Sequence, residues 1–214
     1  MQHRQAGFTL VEIAVVLLII GLLLSGVLKG QALLDSARVK NLAQDFASIP
    51  ALIHAYQDKY RALPGDDGAA QRHLCLDGSA CATPGNGNGV IDGSWHAEGE
   101  TESFRLWQHL RLAELVGGST NPAEPGYLPR NAFGGRIGVQ RGGEPAVLGI
   151  SGSLVVCSTG IPGKLVHQLD ISVDDGDPAT GAMRAASGEI SAPSIVSATN
   201  PLDEAGSYTV CARL

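Results

Sequence analysis

The chain has 214 residues, 44% of them hydrophobic and 5% aromatic, with a formal net charge of −6. That hydrophobicity excludes an intrinsically disordered chain, which combines few apolar residues with high net charge. Residues 63–214 hold 17 acids against 9 bases, a net of −8, so no nucleic-acid partner is expected, because such binding rests on neutralising phosphates.

Near the N-terminus, Ile13 to Leu24 reads IAVVLLIIGLLL, twelve residues without a polar side chain. Phe8 to Leu28 gives 21 residues interrupted only by Thr9, Glu12 and Ser25. About 20 apolar residues suffice for an α-helix to cross a bilayer. A buried helix of a soluble domain rarely stays apolar on every face for this long. A secretory signal would end in a small-residue cleavage site, but the chain continues as VLKGQALLDSARVKN, so the span is expected to stay with the protein. Flanking charge does not orient it, since His3 and Arg4 oppose Lys29, Arg38 and Lys40. The cysteines, all beyond residue 70, place the C-terminal part in an oxidising compartment. Glu12 stands out, because a carboxylate in a membrane helix is costly unless it has a function. Its place in the first turns softens that cost through the helix dipole.

These residues carry a resemblance. AGFTLVEIAVVLLIIGLLL resembles the N-terminus of type IV prepilins and type II secretion pseudopilins, with Gly7 closing the leader, Phe8 following it, Glu12 five residues after the Gly, and Gly21 at a small position of the helix. The resemblance covers about 25 residues and implies a leader at 1–7, a transmembrane and assembly helix at 8–62 and a globular domain at 63–214. It implies cleavage between Gly7 and Phe8 by a prepilin peptidase, methylation of the new N-terminus, and neutralisation of a neighbouring subunit's amine by Glu12. The implied partners are other pilin or pseudopilin subunits, the peptidase, an inner-membrane assembly platform and the membrane itself. The implied location is the inner membrane, with the C-terminal domain periplasmic, and then a filament.

Beyond the span, Val39, Leu42, Phe46, Ile49, Ile53, Tyr56, Tyr60 and Leu63 recur at alternating spacings of 3 and 4. That is one apolar stripe on an amphipathic helix, read as a docking face. Pro50 lies within it and is expected to kink the helix. Helix from Phe8 to about Arg61 would extend roughly 80 Å. Leu63-Pro64-Gly65-Asp66-Asp67 stops it, and a loop-rich stretch runs to about Gly99.

A short helix is expected near Thr101, with Thr101 as N-cap, Phe104, Trp107 and Leu110 facing inward and Gly117 ending it. RIGVQ, AVLGIS, SLVVCS, KLVHQLDISV and SYTVCAR then read as short strands. The fold class is therefore α+β: a long N-terminal α-helix, its first half membrane-spanning, packed on an antiparallel β-sheet in a loop-rich C-terminal domain. The resembling proteins share this arrangement, with a C-terminal region tied back by a disulfide. Cys75, Cys81, Cys157 and Cys211 allow three connectivities. The favoured one joins Cys75 to Cys81 as a local loop and Cys157 to Cys211 as a clamp.

Candidate chemistry is sparse. GISGS at 149–153 has its second Gly one residue too early for a nucleophile elbow. STGIPGKL lacks the first Gly of a phosphate loop and has Leu after Lys164. The six histidines show no metal-pair spacing. Two loops offer oxygen ligands for calcium: Asn86, Asn88 and Asp92, and Asp174, Asp175 and Asp177, although both also read as turns. The expectation is a structural subunit without enzymatic activity, a minor pilin or pseudopilin of a type IV pilus or type II secretion filament. The alternatives are a ligand-binding tip adhesin or DNA-uptake pilin, and an anchored enzyme that would need a pocket of convergent polar groups.

Overall fold

The computed structural model describes residues 9–75, 81–142, 147–152, 154–188 and 193–213. The chain forms two compact units, Met1–Arg38 and Val39–Leu214. Helix α1, Leu10–Tyr60, contributes to both.

In the first unit, residues 10–29 are all exposed, including every large apolar side chain from Leu10 to Leu28. In the second, Val39, Leu42, Phe46, Ile49, Ile53 and Tyr56 are buried, as the stripe predicts, because spacings of 3 and 4 keep them on one face. Pro50 lies inside the helix, where it has no N–H to offer the Phe46 carbonyl. Arg61 ends the helix in the left-handed region, with φ 56° and its N–H on the Gln57 carbonyl at 2.7 Å.

After α1 come α2 (Ala70–Leu74), α3 (Glu102–Leu112), β1 (Ile137–Arg141), β2 (Leu154–Pro162), α4 (Gly163–Val173), β3 (Met183–Ser187), β4 (Ser194–Ile195) and β5 (Ser207–Arg213). The strands form one antiparallel sheet in the order β1-β2-β5-β3-β4. Alternation along the strands covers both faces. Val139, Val156, Met183, Ala185, Val210 and Ala212 join the α1 stripe in the main core. Val155, Cys157, Ala186 and Cys211 point the other way, into a smaller cluster with Trp95, Leu148 and Ile150. A register shift between Ser158 and Ile161 bends β2, and Gly160 supplies the positive φ of 72° there.

Three local expectations are corrected, and one strand was not expected. KLVHQLDISV is α4, not a strand: Leu165, Val166, Leu169 and Asp170 are buried, a helical spacing that its β-branched residues obscure. Ile171 is 69% exposed. Of the strand expected at AVLGIS, Val147–Ile150 form a tight turn in which Ile150 bonds back to Val147, with Leu148 and Gly149 at φ 51° and 71°, and Ala146 lies outside the described residues. β3, the MRAAS segment, carries no strand signal of its own, because it lacks β-branched residues. Its pairing with β5 on one side and β4 on the other makes it a strand.

The third correction concerns α3. Phe104, Trp107 and Leu110 are buried and Thr101 holds the N-cap position, as expected, but Thr101 makes no side-chain cap bond. The Asp92 carbonyl accepts the Ser103 N–H in its place, at 3.1 Å. The helix stops at Leu112 rather than Gly117. Leu115 N–H bonds to the Leu110 carbonyl and Glu114 N–H to Arg111, both at 3.0 Å, with Glu114 at φ 62°. This is the Schellman arrangement, which favours glycine at the left-handed position. Glu114→Gly is therefore expected to raise unfolding free energy by about 1 kcal/mol, read as a higher urea midpoint. A lower midpoint would refute the strain at Glu114.

Candidate functional site: the N-terminal helix and its carboxylate

The site begins at Thr9. Glu12 lies in the first turn of α1, three residues after Thr9. Glu12 Oε2 accepts the Thr9 backbone N–H at 2.9 Å and the Thr9 hydroxyl at 2.8 Å. The Glu12 N–H donates back to Thr9 Oγ1 at 3.2 Å. This reciprocal pair is a capping box, which satisfies otherwise orphaned helix donors. The carboxylate thus sits at the positive end of the helix dipole with two local donors. Thr9 is the member that sequence reasoning passes over, although the T-x-x-E spacing of TLVE spells it out.

Below the box the helix presents apolar side chains on every face. Leu17, Leu18, Leu22 and Leu23 are more than three-fifths exposed. An apolar surface of that extent is not compatible with water and needs lipid or other apolar helices around it. α1 is long and apolar enough to cross a membrane. Among the described residues, nothing but the local helix itself comes within 4 Å of where a Cβ would stand at Gly21, Gly26 or Gly30, so the backbone is open to close approach there.

Residues 2–28 match the family model described as the prokaryotic N-terminal methylation motif. The chain carries a prepilin-type N-terminus. Gly7 and Phe8 fall within the matched segment but outside the described residues. No match was found among curated proteins or among solved structures.

The prepilin-type segment is followed by a domain stapled twice. Cys75 bonds Cys81 within one loop, and Cys157 bonds Cys211 across β2 and β5, where the two are direct register partners. Two buried carboxylates, Asp66 and Glu102, organise the glycine-rich stretch at 84–93, and a third, Asp67, holds the chain just before α2. Asp66 accepts the N–H groups of Asn88 and Gly89, Glu102 those of Asn86 and Asp92, and Asp67 that of Ala69. No sequence signal singles out these acids, because only the fold shows that they are buried.

The calcium-candidate loops differ from each other. Asn86 and Asn88 donate their side-chain amides to Asp92 Oδ2 at 2.9 and 3.0 Å. Their own oxygens accept the N–H groups of Asn88 and Val90, as in turns closed by Asx side chains. In the second loop, Asp174 and Asp175 come together with Asp170. Asp177 lies outside that group and accepts the Ala179 N–H at 3.0 Å.

Proposed function

We propose that the chain is a structural subunit, a minor pilin or pseudopilin, of a type IV pilus or type II secretion filament. One observation carries the reading: a methylation motif leads directly into an apolar helix with every face exposed and one carboxylate in its first turn. A helix of that kind has two environments available, a bilayer before assembly and a bundle of its own kind after it. Cleavage after Gly7 by a prepilin peptidase would free an amine at Phe8, and methylation would keep it basic. On an assembly platform in the inner membrane, Glu12 of an incoming subunit would exchange its Thr9 donors for the charged amine of a neighbour. A full ion pair in a low-dielectric setting is stronger than the carboxylate's bonds to the uncharged Thr9 donors that it replaces, so that exchange favours the correct register. The disulfide-bonded domain would face the periplasm before export.

A second reading, a ligand-binding tip module, draws on a cleft of about 570 Å3 beside α3 lined by Phe104, Arg105, Gln108, Tyr127 and Arg130. Two acids at its rim, Glu98 and Glu100, pair with Arg136 and Arg105 rather than converge as a catalytic pair.

The test is processing and incorporation. The wild-type chain should be recovered with N-methylated Phe8 as its first residue by mass spectrometry. Gly7→Leu should leave a longer, membrane-retained product. Glu12→Val should be processed yet missing from sheared filaments. A mature N-terminus elsewhere, or normal incorporation of the Glu12 variant, would overturn the proposal.

A further inference from the structure

α4 carries a carboxylate that the rest of the fold leaves half satisfied. Asp170 is fully buried. Its Oδ1 accepts the Gly176 N–H at 2.7 Å, while its Oδ2 has no hydrogen-bond partner. Burying an ionised oxygen without a donor is among the costlier things a fold does. The chain then adds like charge beside it, from Asp175, Asp174 and Asp177.

One carboxylate oxygen from each of Asp170, Asp174 and Asp175 lies within 4.8 Å of the others. Oxygens sharing one Ca²⁺ at about 2.3–2.6 Å lie at most about 5 Å apart, so the cluster has the span of a single coordination sphere. The loop around it is fixed by its own bonds. Asp174 Oδ2 accepts the N–H groups of Ala182 and Met183, where the chain enters β3. Asp175 accepts the Asp177 N–H and the Thr180 hydroxyl. At Gly181, with φ +70°, an added Cβ would collide with Asp174 Oδ2, so only a glycine lets the backbone pass this close to the carboxylates.

We propose that Asp170, Asp174 and Asp175 hold a calcium ion between the end of α4 and the start of β3. All three ligands are hard carboxylate oxygens, with no sulfur or imidazole to recruit zinc or copper. An irregular loop suits the flexible, high coordination number of Ca²⁺ better than the strict octahedron of Mg²⁺. The sequence points to Asp174, Asp175 and Asp177; the fold replaces Asp177 with Asp170, which lies one helical turn before Asp174. The site does not depend on filament assembly, so it can stand or fall separately from that reading.

The experiment uses the full-length chain in detergent, stripped with chelator, with calcium chloride titrated by calorimetry and thermal unfolding followed in parallel. One site is expected, with Kd near the ~10⁻⁴–10⁻³ M of extracellular calcium modules, and Tm should rise with calcium concentration by mass action. Asp170→Asn should abolish the heat and the Tm response. Asp175→Asn, at an exposed position that should tolerate the change, should weaken binding about tenfold, and Asp177→Asn should leave it within about twofold of wild type. The proposal fails if no heat or Tm shift appears by about 10 mM, above the range of such modules. It also fails if Asp175→Asn binds like wild type, or if magnesium matches calcium.

Discussion

Replacing Cys157 and Cys211 together with alanine should lower the unfolding free energy by about 4 kcal/mol. The bridge spans a sequence separation of 54, and cross-linking a loop of that size removes conformational freedom mainly from the unfolded chain. Both residues are fully buried and face each other in the paired strands β2 and β5, beside Trp95, Val155 and Ala186. Two alanines leave only a small void there, so the unfolded-state term dominates. Cys75–Cys81 closes a separation of only 6, and its removal should cost about 2 kcal/mol on the same account. Urea unfolding of the oxidised chain against the two double-alanine variants separates these values. Equal losses at the two bridges would refute the loop-entropy ordering.

Asp67→Asn should cost about 3 kcal/mol at neutral pH, because it breaks a buried charged network by removing one member. Asp67 is 2% exposed. Its Oδ2 accepts the Tyr56 hydroxyl at 2.8 Å and the His73 Nδ1 proton at 2.7 Å, and its Oδ1 accepts the Ala69 N–H at 2.8 Å. The carboxylate thereby ties the last turns of α1 to α2. Burial alone would raise its pKa, but the hydrogen bonds from His73, Tyr56 and Ala69, with the His73 charge, outweigh that and hold it below the ordinary carboxylate range.

The folded value lies below the unfolded one, so this stabilisation is present above about pH 4 and disappears as pH falls through the folded value. Wild type should therefore lose more stability between pH 7 and pH 3 than Asp67→Asn does. The comparison subtracts the other carboxylates, which titrate in both chains. Parallel pH profiles for the two proteins would show that Asp67 carries no such coupling.

Features governed by local spacing are legible in the amino-acid sequence itself. The apolar run to Leu28, the stripe from Val39 to Tyr56 and the inward face of α3 follow from helical periodicity, which the backbone repeats whatever surrounds it. Elements whose identity depends on partners are not legible in that way. KLVHQLDISV holds Val166, Ile171 and Val173, which favour strand locally, yet it is helical because Leu165, Val166 and Leu169 share one buried face. MRAAS has weak strand propensity and is a strand because β5 and β4 flank it.

The N-terminus and the domain differ in the same way. By itself the sequence carries the methylation motif at residues 2–28 and the apolar run that holds Glu12, because a short motif and an apolar run are read from a short linear stretch. Even the Thr9–Glu12 capping box lies within four residues. Only the tertiary structure decided which acids are buried. Asp66, Asp67 and Glu102 look no different in sequence from the exposed Asp175 and Asp177; they differ because backbone N–H groups ten or more residues away converge on Asp66 and Glu102, and the Tyr56 hydroxyl converges with His73 on Asp67. Asp170 is set apart by the opposite circumstance: its Oδ2 is buried with no donor beside it. Burial and hydrogen-bond supply come from chain segments far apart in sequence, and no local pattern encodes them.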